Sequence, residues 1–102
     1  MALRAAFIFL APEANPLEHR ATVQTPQVEL TVVGVADYAE AERVARLLVD
    51  DGITAIELCG GFGVNGTARI ARAVGERAVV GVVRFDGHPG LGGKSGDTVF
   101  AE

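Results

Sequence analysis

The chain has 102 residues, of which 49% are apolar and 22% charged. That is the length and composition of one ordinary soluble globular domain. A net charge of -4, one tyrosine and no tryptophan argue against a nucleic-acid partner, which needs a basic groove and stacking aromatics. The apolar stretch at residues 5–11 is too short to span a bilayer and no small-residue cleavage pattern follows it. No membrane partner is expected. A single cysteine cannot form an internal disulfide, so a reducing, cytoplasmic setting is expected.

Residues 5–10 (Ala-Ala-Phe-Ile-Phe-Leu) form a continuous apolar run, expected of a strand covered on both faces. Pro12 ends it. Asn15-Pro16 offers a cap with proline at the first helical position, predicting a short helix over residues 16–22. Thr25-Pro26 closes that segment. Residues 28–35 are rich in β-branched side chains and predict the second strand. Asp37 begins a helix, with Glu40 placed for a capping box. Ala41, Val44, Ala45 and Leu48 supply its buried stripe, and Gly52 its stop. Asp50 and Asp51 fall at the negative end of that helix, which disfavours them. Residues 53–59 predict a third strand. Asn65 or Thr67 can cap the next helix, which carries Ile70, Ala71 and Val74 and stops at Gly75. Residues 78–84 predict a fourth strand. A glycine-rich tail follows, with Val99-Phe100 able to dock it.

Alternation of this kind predicts one α/β domain over residues 1–102, with about four mostly parallel strands in β-(α)-β-α-β-α-β order. Two strand orders compete. A sequential order puts all helices on one face and leaves Glu29, Thr31, Glu57 and Arg84 on the other. A flavodoxin-like order puts helices on both faces. So small a sheet is marginal for burial either way, and a homo-oligomer is expected.

The unusual residues follow the predicted strands. Glu57-Leu58-Cys59-Gly60-Gly61-Phe62-Gly63 follows the third and Arg84-Phe85-Asp86-Gly87-His88-Pro89-Gly90 the fourth. With Ala6-Phe7-Ile8-Phe9-Leu10-Ala11-Pro12, these segments resemble a family of small bacterial proteins of unknown function. The resemblance covers nearly the whole chain. It implies no activity and no site residue.

Parallel strands bring their carboxyl ends to one rim, where ligands bind. The segment from Gly61 to Gly66 fits G-x-G-x-x-G, and Asp86 lies twenty residues beyond it. Glu57 in the entering strand and the lack of a companion half-site speak against a dinucleotide. Gly93-Lys94-Ser95 fails as a P-loop, because His88 stands where glycine is required. An anion at the helix N-terminus is the simpler reading. The residues expected to bind it are Gly60, Gly61, Phe62, Gly63, Asn65, Arg84 and Lys94. Glu57, Asp86 and His88 are candidates for proton transfer, and Cys59 for a nucleophile with His88 as base. An ion pair between Glu57 and Arg84 is the structural alternative. Asp86 and His88 lack a third metal ligand at fixed spacing, so no metal is assigned. The expected ligand is a small carboxylate or phosphate. Its chemistry, if any, would be that of a lyase or isomerase working without a cofactor. A non-catalytic binding or regulatory module and a structural oligomer subunit are the competing readings.

Overall fold

A computed structural model describes residues 2–85 and 87–101. Its sheet grows outward from β1 (Leu3–Leu10). β3 (Val28–Val35) lies parallel on one side of β1, and β4 (Ala55–Leu58) parallel on the other. β5 (Val79–Val82) adds in parallel beyond β4. β2 (Arg20–Gln24) pairs antiparallel with the outer side of β3. The order is β2-β3-β1-β4-β5.

The helix expected over residues 16–22 does not form. Asn15 does cap: its Oδ1 accepts from Leu17 N–H at 2.9 Å and its carbonyl from His19 N–H at 2.7 Å. Only one turn follows. Thr22 and Val23 favour extended backbone, and β3 offers an edge to pair with. Thr22 Oγ1 meets Thr31 Oγ1 at 3.3 Å across that pair.

α1 (Tyr38–Asp50) starts at Asp37, whose Oδ1 accepts from Glu40 N–H at 2.8 Å. Glu40 Oε1 in turn accepts from Ala36 N–H at 2.9 Å, one residue before the cap. The two aspartates at the other end acquire cations from elsewhere. Asp50 pairs with Arg77 at 2.8 Å, and Asp51 with Arg4 at 3.0 Å. The Asp51 and Glu29 hydrogen bonds hold the Arg4 guanidinium above its ordinary value. α2 (Val64–Val74) ends at Gly75 in a positive-φ conformation.

Each prediction about strand order holds in part. The parallel strands take the flavodoxin-like order, yet α1 and α2 lie on one face. β1 reaches β3 through a strand, β2, and so contributes no crossover helix. The two remaining crossovers run in the same direction along the sheet, and right-handedness then puts both helices on the same side. Between helices and sheet lie Ala6, Ile8, Val33, Val35, Ile56 and Leu58, packed with Val44, Ala45, Leu48, Ile70 and Val74. Glu29 and Thr31 belong to this helix-bearing side, contrary to expectation, because they alternate in step with the core residues Val33 and Val35; there Glu29 Oε1 accepts from Arg4 Nε at 3.0 Å. Glu57 lies on the opposite side, in register with Phe7 and Gly81. Among the described residues, no helix is long and apolar enough to cross a membrane.

Candidate functional site

The carboxyl ends of β1, β3, β4 and β5 share one rim, and two turns meet there. The first follows β4 through residues 59–63. The second follows β5. Phe85 lies directly over Gly60, where any Cβ would collide with its ring. The same ring touches His88, with centroids 4.7 Å apart. Glycine at position 60 thus permits the two turns to touch.

The N-terminus of α2 is the first feature of the rim. Gly63 stands at its cap position and has no side chain to cap with. A carboxylate arrives from the tail. Asp97, in the short α3 (Gly96–Val99), accepts from Asn65 N–H at 2.9 Å and Gly66 N–H at 3.0 Å. It also accepts from the Tyr38 hydroxyl at 2.8 Å. The Tyr38 oxygen in turn accepts from Gly63 N–H at 3.0 Å. Partial burial works against the Asp97 carboxylate, but the bonds from Asn65, Tyr38 and Gly66 prevail and hold its pKa below the ordinary value. Burial pushes the Tyr38 hydroxyl far up, so it stays protonated and donates. The clasp is closely fitted. Tyr38 stacks on Phe62 with centroids 5.6 Å apart. Gly96 sits against the Gly61 carbonyl with no room for a Cβ. Phe100 is buried beyond it, and its carbonyl accepts from Tyr38 N–H at 3.2 Å.

A cleft of about 400 Å³ opens beside the clasp. Its walls are the 60–63 turn, the start of α2, the end of β5 and residues 94–96. Such a volume falls within the range of small-molecule sites, ~300–1,000 Å³. Arg84, His88 and Lys94 all line it, together with Val64, Val82, Val83 and Phe85. The described lining contains no carboxylate. His88 is fixed by its own turn: Nδ1 accepts from Gly90 N–H at 3.0 Å. In the neutral ring this leaves the proton on Nε2, as a donor. An antiparallel bridge ties His88 to Lys94, so two of the three basic residues share one small loop.

Of the site residues expected from sequence, Gly60, Phe62, Gly63, Arg84, His88 and Lys94 come together around the cleft. Asn65 and Gly61 are committed to the clasp. Glu57 is exposed on the far face of the sheet and does not line the cleft. Among the described residues, it forms no ion pair with Arg84, which corrects the structural alternative. Cys59 is half-buried against the core. Its Sγ accepts from Leu10 N–H at 3.4 Å and Gly61 N–H at 3.3 Å, and it too lies outside the cleft lining. Asp86 lies outside the described residues. Among the described residues, no group of three His, Cys, Asp or Glu is arranged to hold a metal ion. Tyr38 and Asp97 are not among the site residues expected from the sequence. One signal was there: α2 begins with neither an acidic first turn nor a capping side chain at Gly63, so its cap had to come from elsewhere.

The fold and rim define a small α/β protein with helices on one sheet face and a basic cleft at the strand carboxyl ends. A family model described as "Family of unknown function (DUF6506)" matches residues 3–98, and the chain belongs to that family. No curated protein and no solved structure matches the chain.

Proposed function

We propose that the chain is a binding module for a small organic anion, held in the cleft between the 60–63 turn and the loop after β5. The observation that carries this reading is the convergence of Arg84, Lys94 and His88 on one cleft with no described carboxylate in its lining. Arg84 offers a planar, two-donor fork suited to carboxylate or phosphate. Lys94 adds a mobile point charge, and His88 Nε2 a directed donor. Val64, Val82, Val83 and Phe85 suit an apolar ligand body. The free amides of a helix start play no part in this reading, since Asp97 already takes two of them. Binding is favoured over lyase or isomerase turnover for one reason. With Glu57 and Cys59 away from the cleft, no described carboxylate or thiol stands beside His88 and Lys94 to complete an acid–base or nucleophile pair.

Thermal unfolding across a panel of small carboxylates and phosphate esters tests the reading. A ligand at ten times its Kd contributes about 1.4 kcal/mol, which raises the Tm of a domain this size by about 6 °C or more. Arg84→Ala and Lys94→Ala should each abolish most of that rise, and added salt should weaken it. If no anion moves the wild-type Tm, or if Arg84→Ala responds as the wild type does, the assignment is wrong.

A further inference from the structure

Among the described residues no helix covers the face of the sheet opposite α1 and α2; residues 18–20 adjoin it at one corner, beside Phe9, Ala21 and Val32. Alternation along the paired strands puts Leu3, Ala5, Phe7 and Phe9 of β1 on that face, beside Val28, Leu30 and Val32 of β3. Val23 of β2 and Val79 of β5 extend it to both edges. Glu57 is its one charged residue within the strands. Four of the five strands are parallel, and parallel sheets occur almost only with both faces covered.

We infer that this face is covered by the same face of a second copy of the chain, in a two-fold sandwich of two sheets with the helices outermost. Three observations select a second copy. First, the strand positions of this face are apolar except for Glu57, and the charges of Glu18 and Arg20 stand only at one corner, so its centre suits an apolar partner surface. An apolar face is complementary to itself, as a two-fold interface requires. Second, its size fits. Strands of eight, five, eight, four and four residues cover roughly 450 Å² in projection, at ~4.8 Å between strands and ~3.3 Å per residue. Projecting side chains raise the accessible area above that, toward the ~800 Å² per partner of a standard stable interface. Third, the face is shaped for sheet packing. Phe9 lies flat over Gly34, where a Cβ would come within 2.7 Å of its ring, so the largest side chain at that end stays low. The cleft of the proposed function opens at the strand ends and stays accessible in such a dimer.

Light scattering behind size exclusion, at tens of micromolar protein, reads the outcome directly. The wild type should elute at a multiple of two of its 10.6 kDa chain mass. Leu3, Val23 and Val79 are 49%, 58% and 71% exposed in the isolated chain, so lysine there leaves the protomer fold intact. Leu3→Lys combined with Val23→Lys should at least halve the mass, with far-ultraviolet circular dichroism unchanged. Val79→Lys should raise the dissociation constant by tenfold or more. Leu47→Lys, at a 66% exposed position on α1, should leave the mass as in wild type. A wild type that runs at 10.6 kDa overturns the inference and gives the face to a different partner. So does an oligomer that survives the sheet-face substitutions, or one that falls apart with Leu47→Lys. Anion binding to the monomeric variants keeps this test separate from that of the cleft.

Discussion

Two groups of hydrogen-bond donors stand side by side at the carboxyl rim, and they have opposite fates. At the start of α2, the amides of Asn65 and Gly66 and the Tyr38 hydroxyl all end on Asp97. In the adjoining cleft, Arg84 and Lys94 meet no carboxylate among the described lining residues. Both regions favour negative charge. One has received it from the chain itself and works as a clasp joining the tail to two helices. The other is left to a ligand. Helix polarity therefore does not by itself mark a binding site. What matters is whether the protein has already filled it.

Asp97→Ala breaks this comparison most severely. It removes the cap of α2 and leaves the Tyr38 hydroxyl without its acceptor. A lost cap costs ~0.5–2 kcal/mol and a hydrogen bond to a charged group ~1.5–3, so a loss of about 2–3 kcal/mol is expected in urea unfolding. The same variant should gain more stabilisation from inorganic phosphate than the wild type does, because the helix start is then open as well. The pH dependence has a fixed sign. The folded Asp97 carboxyl lies below its ordinary 3.8. Its contribution is therefore complete above pH 3.8 and disappears as pH falls through the lower folded value. The stability gap between wild type and Asp97→Ala should narrow in that acidic window, by the part tied to ionisation, and stay constant above it.

Gly60→Ala sharpens the comparison by disturbing the cleft and sparing the clasp. The added Cβ meets the Phe85 ring, and Phe85 is exposed enough to swing away. Stability should fall by about 1 kcal/mol, the low end for an inserted methyl group. Anion-induced stabilisation should drop by far more, since Phe85 carries the wall between Gly60 and His88. Equal losses in both measurements would mean that the two turns form one structural unit. Glu57→Gln should do least. Glu57 is exposed in the protomer and lies off the cleft, so in the Leu3→Lys/Val23→Lys background both protomer stability, to within ~0.5 kcal/mol, and anion response should be unchanged.

Legibility in the sequence tracked the range of the interactions involved. α1 was readable to its cap because Asp37, Glu40 and the stripe from Ala41 to Leu48 act within one helix. The segment at residues 16–22 departs from its expected helix for the opposite reason. Asn15-Pro16 does start a turn, but the edge of β3 then draws the chain into a strand, and residues 16–22 carry no sign of that partner. Asp50 and Asp51 looked misplaced until Arg77 and Arg4 arrived from other elements. The candidate site divides in the same way. Gly60, Arg84, His88 and Lys94 follow strands, and strand ends of a parallel sheet meet. Glu57 and Cys59 were grouped with them by proximity in the chain, but alternation along β4 turned Glu57 to the far face. Tyr38 and Asp97 lie 59 residues apart and carry no shared motif.

The amino-acid order alone determined that strands and helices alternate, that the strands run mostly parallel, and that two glycine-bearing turns come to a common rim. These outcomes arise from periodicity, capping and the handedness of crossovers, all local in origin. The tertiary structure decided the rest: which face each strand turned inward, that β2 replaced a helix and left one sheet face without a helix among the described residues, and that Asp97 closed the start of α2. Those outcomes depend on which distant groups compete for the same edge or the same amides, and a contest between distant partners is resolved only when the chain has folded.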